Sequence, residues 1–180
     1  MPTAASLATA QNLYVRYYGR PADPAGLTYW ATQIDAAGTD IDGVLASFAN
    51  SAESQALYGS SNLAGCILAA YQNMFGRQPE AQELNWWEAE FVSVPLTFVN
   101  LVQAIANGAS GTDATTLANK EAAATLFTSD INSYGGGTWY TGSTVIANAR
   151  AWLATVTTVA QSGVAVGAAV LTQYHQAGGV

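Results

Sequence analysis

The sequence predicts an all-α protein made of two tandem three-helix repeats and a C-terminal helical segment with a glycine-rich aromatic loop. The first observation is that Tyr14–Trp30 returns as Tyr71–Trp87 at an offset of 57 residues, without a gap. The second is that apolar residues recur at helical spacing, with glycine, proline and acidic residues where helices should begin and end. An internal duplication retains matches at such positions. The aligned pairs are Tyr14 with Tyr71, Gly19 with Gly76, Arg20 with Arg77, Leu27 with Leu84, Trp30 with Trp87, Phe48 with Ile105, Ala49 with Ala106 and Asn50 with Asn107.

The first repeat opens with a predicted helix over Ser6–Tyr18. Gly19 ends it, because glycine readily adopts the left-handed conformation that follows many helices. Asp23 is predicted to cap the second helix, with Pro24 at its first position, the favoured order for a helix start. The remaining predicted boundaries are Gly38 at the end of the second helix, Asp40 as the cap of a third helix through Phe48, and a short fourth turn from Ser51 to Gly59.

The second repeat follows the same order of elements. The glycine- and serine-rich stretch Gly108–Thr112 ends it and marks a boundary in the chain. The predicted organisation is therefore a duplicated region over 1–109 and a C-terminal helical region over 110–180. Within the first region, the repeats cover about 6–59 and 62–108, and the helices of the second are Asn62–Phe75, ended by Gly76, then Glu80–Val92, and one from Ser93 and Pro95 to Asn107.

The C-terminal region is predicted to contain three helices. Asp113 caps the first, which runs to Ile131. The loop Ser133–Gly142 has three consecutive glycines, which disfavour regular structure, and it is expected to display Trp139 and Tyr140. Two helices, Ser143–Gln161 and Gly163–Gln176, complete the chain, with the alternation of Val164 and Val166 leaving a short strand as an alternative. The apolar stretch Val156–Leu171 is too short and too interrupted to span a membrane, so we interpret it as a core helix.

Composition narrows the range of functions. The net charge is −7, and only 9% of residues are charged. A nucleic-acid site needs a basic surface, so DNA, RNA and anionic membranes are not expected as partners. Cys66 is the only cysteine, which excludes an intrachain disulfide or a thiolate metal cluster. The N-terminus has no basic segment followed by an apolar one, so no conventional cleaved signal is expected.

Two motifs resemble a known family. The pattern aromatic-Gly-Arg-x-x-Asp-x-x-Gly-Leu-x-x-Trp occupies Tyr18–Trp30, and Phe-x-x-Ser-x-Glu follows at Phe48–Glu53. Together with Thr112–Thr128, they resemble the helical domain of unknown function 4214 of bacterial type I-secreted, surface-layer and repeat-in-toxin-like proteins, over about residues 10–130. The resemblance implies a secreted or cell-surface module and supplies no catalytic residues. The second repeat departs from the pattern, since Gln78 replaces Pro21, Glu80 replaces Asp23 and Glu83 replaces Gly26.

The Gly-Arg turns form the first candidate site. Arg20 precedes Asp23 by three residues, and Arg77 precedes Glu80 by the same spacing. A charged pair that pins the turn is one interpretation, and an arginine that faces a ligand is the other.

Aromatic residues form the second candidate. Trp30, Trp86 and Trp87 are predicted as core residues, with a sugar-stacking platform as the alternative. Contacts for self-association or for a glycan are predicted at Trp139, Tyr140 and Trp152.

Acidic residues suggest a third candidate site. Asp35, Asp40 and Asp42 lie close in sequence and supply the oxygen ligands that calcium takes, although helix capping also explains them. No other cofactor is predicted. The acids of Glu80–Glu90 do not share one helix face, which argues against paired-carboxylate catalysis. The only histidine, His175, has no partner at a motif spacing and gives only a weak hydrolase hypothesis.

The leading functional hypothesis is a non-enzymatic, exported structural protein that associates with itself in a surface layer, sheath or filament, or anchors one. The alternative is a carbohydrate-binding adhesin module that recognises cell-surface polysaccharide. The C-terminal third, residues 131–180, has Arg150 as its only charged side chain and is the predicted self-association surface. These helices could instead complete the core, which leaves the two roles of this region open.

Overall fold

The computed structural model describes residues 1–59, 61–93, 97–135 and 137–179, with the side chain of Ser93 excepted. All regular structure in these residues is helical, so the predicted all-α class is confirmed. A π-helical stretch, Tyr14–Tyr18, continues the helix Ala4–Leu13, and a 3₁₀ turn, Asn132–Tyr134, follows the helix Gly111–Ile131. The helices are α1 (Ala4–Leu13), α2 (Pro24–Ala37), α3 (Asp42–Ala49), α4 (Ala52–Tyr58), α5 (Leu63–Phe75), α6 (Ala81–Ser93), α7 (Phe98–Asn107), α8 (Gly111–Ile131), α9 (Ser143–Ala154) and α10 (Gly163–Gln176).

The predicted helix boundaries near both Gly-Arg turns are confirmed. Gly19 has φ +63° and Gly76 has φ +70°, the left-handed conformation expected of a residue that follows a helix. Asp23 caps α2 by accepting a hydrogen bond from the Gly26 N–H, and Pro24 is the first helical residue. Local chemistry therefore sets where the chain turns at these two points.

Other boundaries differ from the prediction. The helix predicted over Ser143–Gln161 ends at Ala154, and Val156–Leu171 is not one core helix, since a non-helical segment separates α9 from α10. Val156 is fully buried, which draws the chain inward at this point, and Ser162 starts α10 by accepting from the Ala165 N–H.

Three further predictions concern a short strand and the starts of two helices. The short strand considered at Val164 and Val166 is part of α10. Helix α8 starts at Gly111, two residues before the predicted cap Asp113. The predicted start of α7 at Ser93 and Pro95 falls partly on residues 94–96, which lie outside the described residues.

The apolar side chains form two clusters. The first core lies among α1, the π-helical stretch, α2 and α3, where the buried Tyr14 and Phe48 meet the half-buried Leu27 and Trp30. The second core contains, among others, Tyr71, Trp87 and Ile105, with Leu84 at its edge. The pairs Tyr14–Tyr71, Leu27–Leu84, Trp30–Trp87 and Phe48–Ile105 thus occupy corresponding cores.

The C-terminal region is part of the second core. Side chains of α9 and α10, including Leu153 and Val170, are fully buried in the same cluster as Ile67 of α5. Residues 110–180 therefore pack onto the residues before them, and the second interpretation of this region, that it completes the core, agrees with the structure.

The loop prediction for Trp139 and Tyr140 is wrong. Tyr140 is 2% exposed and donates a hydrogen bond from its hydroxyl to the Pro21 carbonyl, 3.1 Å away. Trp139 is half-buried at the edge of the second core. The reason is a close approach of backbone: a Cβ on Gly137, which has φ +88°, would lie 2.8 Å from Pro24 Cδ. Gly137 therefore lets the loop dock on the first turn of α2.

Candidate functional site

The Gly-Arg turns are pinned by charged pairs, but not by the predicted partners. Arg20 does not pair with Asp23. Its Nε and Nη2 donate to the two carboxylate oxygens of Glu53, each at 2.7 Å, and its Nη1 donates to the Pro21 carbonyl at 3.0 Å. Asp23 is used to cap α2 instead. All three nitrogens of Arg20 bond within the protein and its side chain is 7% exposed, so the turn-pinning interpretation fits this residue.

The second turn uses two other acids. Arg77 donates to Glu83 at 2.7 Å with each Nη, and to Asp113 at 2.9 and 2.6 Å, rather than to the predicted Glu80. Glu83 also accepts from the backbone N–H of Glu80 at 2.7 Å. The hydrogen bonds from Arg77 lower the pKa of Glu83 to about 2, so this carboxyl is ionised at neutral pH.

The three candidate calcium ligands do not converge. Asp35 accepts from the Thr3 N–H at 2.8 Å and from the Thr3 and Ser6 hydroxyls, and so ties the start of α1 to α2. Asp40 accepts from the Asp42 N–H at 3.2 Å at the start of α3. Among the residues that the structure describes, no group of three or more His, Cys, Asp or Glu side chains could hold a metal ion. Calcium binding at Asp35, Asp40 and Asp42 stays a prediction.

The strongest candidate site is an aromatic cleft on the second repeat. It has a volume of about 730 Å³. Trp86 is 55% exposed and meets the buried Trp87 edge to face, with ring centroids 4.5 Å apart. Trp87 is fixed from behind, since its Nε1–H donates to the Tyr71 hydroxyl at 2.8 Å. The lining residues are Tyr71, Gln82, Glu83, Trp86, Trp87, Glu90, Ala104 and Gly108.

Helix geometry places these groups together. Gln82, Trp86 and Glu90 are spaced by four along α6, so their side chains share one face of that helix. Ala104 of α7 and Gly108, which follows that helix, also line the cleft, and their small size leaves space in it. The cleft therefore offers one exposed indole face, with an amide and carboxylates beside it.

A smaller cleft of the same design lies on the first repeat. It has a volume of about 370 Å³ and contains Tyr29, Trp30, Gln33 and Ser47. These four align at the 57-residue offset with Trp86, Trp87, Glu90 and Ala104. Tyr29 is 56% exposed and meets Trp30 edge to face at 5.0 Å, as Trp86 meets Trp87. Asp40 lines this cleft as well.

The predicted aromatic site residues are only partly in these clefts. Trp30, Trp86 and Trp87 line them, whereas Trp139, Tyr140 and Trp152 do not. Trp152 packs against the buried Phe127, with ring centroids 4.7 Å apart. His175 lies exposed on α10 beside Tyr174, outside both clefts.

Sequence reasoning missed Tyr29, Gln33, Gln82 and Glu90. The 57-residue offset was the signal that could have found them. It pairs Tyr29 with Trp86, next to Trp30 and Trp87, which are identical in the two repeats. An aromatic residue retained on the solvent side of a helix has no packing reason to be retained.

Comparison with known proteins gives one match. Residues 7–58 match the family model described as a domain of unknown function (DUF4214), so the resemblance found for the first repeat is confirmed over this range. The matched range contains Arg20, Glu53 and the Tyr29 cleft. No curated protein and no solved structure matched the chain.

In the described part of the chain, every helix is either too short or too polar to cross a bilayer.

Proposed function

We propose that the protein is a non-enzymatic carbohydrate-binding module, and that its ligands dock on the two aromatic clefts. The supporting observation is the repetition of one arrangement, an exposed aromatic ring set edge to face against a tryptophan, at Tyr29–Trp30 and at Trp86–Trp87. A single exposed aromatic residue is common on protein surfaces. Two in the same position of two repeats, each beside a cleft, favour a binding role.

The chemistry of the second cleft suits a sugar. One face of a pyranose ring carries C–H groups and is apolar, so it can pack on the exposed face of Trp86. The ring's hydroxyls need donors and acceptors at the edge, which Gln82 and the ionised Glu83 supply. Because Trp87 and Tyr71 hold the platform from behind, little side-chain entropy is lost on binding.

The proposal extends to location and partners. The resemblance to the domain of unknown function 4214 supports an exported protein at the cell surface or in the extracellular space, with surface polysaccharide as the partner. Two clefts on one chain would let each molecule bind a polymer at two places, and linked sites bind more tightly than either alone. The small number of charged side chains fits a neutral ligand better than a polyanion.

Titration of intrinsic tryptophan fluorescence with soluble neutral polysaccharides of glucose, galactose and mannose tests the proposal. Wild type should bind at least one in a saturable way. Trp86→Ala should weaken binding about tenfold or more, since a stacked aromatic residue at a binding centre contributes 2 kcal/mol or above. Val164→Ala is the matched control, because Val164 is 86% exposed and lies on α10. Equal affinity of Trp86→Ala and wild type, or no saturable binding by any of these polymers, would overturn the proposal.

Self-association in a surface layer or filament is the second candidate function. The observation in its favour is the outer face of α10, where Val164, Ala168 and Leu171 are exposed and no described residue is charged. An apolar helix face in water favours contact with another surface. Sedimentation at rising protein concentration, with and without calcium, should show growing assemblies that Val164→Asp prevents. A wild-type protein that stays monomeric throughout would exclude this role.

A further inference from the structure

A cavity between the Gly19 turn and α9 differs in charge from the rest of the molecule. It has a volume of about 320 Å³, and its lining contains Lys120 and Arg150 but no carboxylate among the described residues. The whole chain has 12 acidic and only 5 basic side chains. The other lining residues are Gly19, Gln72, Asn73, Ala147, Ala151 and Ala154.

Lys120 is buried with hydrogen-bonding capacity to spare. It is the only lysine of the sequence, is 1% exposed, and its Nζ donates one hydrogen bond, to the Asn73 carbonyl at 2.7 Å. An ammonium has three N–H donors, so two have no protein partner in the described part of the chain. Burial lowers the pKa of Lys120 to about 8, which leaves it mostly charged at pH 7. A buried charge is costly unless it is compensated.

Arg150 adds a second cation with an unused donor. Its Nε donates to the Tyr18 carbonyl at 2.7 Å and its Nη2 to Glu53 at 2.9 Å, while no hydrogen bond of Nη1 to a described residue is found. Glu53 already accepts two hydrogen bonds from Arg20. One carboxylate thus serves two guanidinium groups. Among the described residues, no acid pairs with Lys120.

We infer that this cavity is a binding site for a small oxyanion, with the Lys120 ammonium and the Arg150 guanidinium as its donors. A planar guanidinium edge matches the oxygens of a carboxylate, phosphate or sulfate, and an ammonium adds a point charge. The amide side chain of Gln72 lines the same space. Alanine side chains of α9 form the remaining wall, and the volume of about 320 Å³ has room for a small anion. This site is separate from the aromatic clefts and does not depend on them.

The single lysine makes the site directly observable. With ¹³C-labelled lysine, the side chain gives one set of Cε–H signals, which can be followed at pH 7 and constant ionic strength while chloride is replaced by sulfate, phosphate or glucuronate. We expect a saturable shift with at least one oxyanion. The anion that binds then distinguishes an inorganic ligand from the carboxylate of a sugar acid.

Calorimetry with the anion that shifts the signal supplies the mutational test. Arg150→Gln should weaken binding about tenfold or more, because hydrogen bonds to charged groups contribute at least 1.5 kcal/mol. Lys120→Met should do the same and retain polysaccharide binding at the clefts. Arg16→Gln is the control, since Arg16 is a half-buried cation that pairs with Glu121 and does not line the cavity. Absence of a saturable shift in wild type, or unchanged anion affinity in Arg150→Gln, would overturn the inference, and the first result needs no variant to fold.

Discussion

Arg20 and Glu53 are joined by two parallel hydrogen bonds of 2.7 Å, from Nε to one carboxylate oxygen and from Nη2 to the other. Glu53 lies in the first turn of the short helix α4 and also accepts from Arg150 of α9 at 2.9 Å. One carboxylate therefore joins the turn before α2, the end of the first repeat and the C-terminal region. The pair also joins the two motifs that matched the family, since Arg20 lies in the first and Glu53 in the second.

Replacing Arg20 by lysine should destabilise the protein by about 2–4 kcal/mol. An ammonium cannot reproduce both hydrogen bonds, and it would leave the half-buried Glu53 partly unpaired. Chemical denaturation of wild type and Arg20→Lys measures the loss. Val164→Ala, a fully solvated position, should change stability by less than about 0.5 kcal/mol. Equal denaturation midpoints for wild type and Arg20→Lys would show that the paired geometry is not needed.

Gly26→Ala should be destabilising although it adds a helix former. A Cβ at Gly26 would lie 2.7 Å from Asp23 Oδ2 and closer than van der Waals contact to the Tyr14 hydroxyl, so the cap or the first core must shift. Gly43→Ala in α3 is the matched substitution, because a Cβ there meets no atom within 4 Å. It should stabilise by about 0.4–1 kcal/mol. Thermal melts that rank the two variants the other way round would contradict the role of Gly26.

Tyr140→Ala should cost about 3–5 kcal/mol, because a fully buried aromatic ring and its hydrogen bond to Pro21 are lost. Tyr29→Ala provides the comparison, as the same residue type at 56% exposure, and should cost under about 1 kcal/mol. Urea unfolding of both variants checks the difference. Similar small losses in the two would mean that the C-terminal loop is not part of the core.

Lys120 should make stability rise between about pH 8 and pH 10.5. The pKa of Lys120 is about 8 in the fold and 10.5 in an unfolded chain, so in this window the unfolded state binds more protons. The free energy of unfolding should therefore increase with pH, by about 3 kcal/mol in total at 1.36 kcal/mol per pKa unit. The quantity to measure is the difference between wild type and Lys120→Met in chloride buffer, in which the titration of tyrosines common to both cancels. A difference that is flat across this window would contradict the prediction.

The sequence predicted what depends on local chemistry. Gly19, Asp23 and Pro24 act through φ, a capping oxygen and a fixed ring, all within a few residues, and the structure has them in those roles. The partner of Arg20 was not predictable in this way. The nearest acid, Asp23, is used by the helix cap, and Glu53 is brought from 33 residues away by packing.

The clefts and the loop Ser133–Gly142 show a second limit of prediction from sequence. Periodicity assigns Trp30, Trp86 and Trp87 to helices but does not say which side of α6 meets water, because neighbouring aromatic residues of one helix point to different faces. The three consecutive glycines predict a loop without regular structure that displays Trp139 and Tyr140. In the fold, the missing Cβ of Gly137 allows contact with Pro24, a close approach that no local pattern encodes.

Hydrogen bonds between the C-terminal region and the first repeat affect how the chain folds. Tyr140 reaches Pro21 across 119 positions, Thr128 reaches Gln11 across 117, and Arg150 reaches Tyr18 across 132. Such contacts close long loops, and the entropy of closing them is lost before the contacts form. While the chain emerges from a ribosome or a secretion channel, the helices of the first repeat therefore lack the contacts that residues 128–150 supply later. The folded state should then appear in one step, after the segment around α9 has arrived.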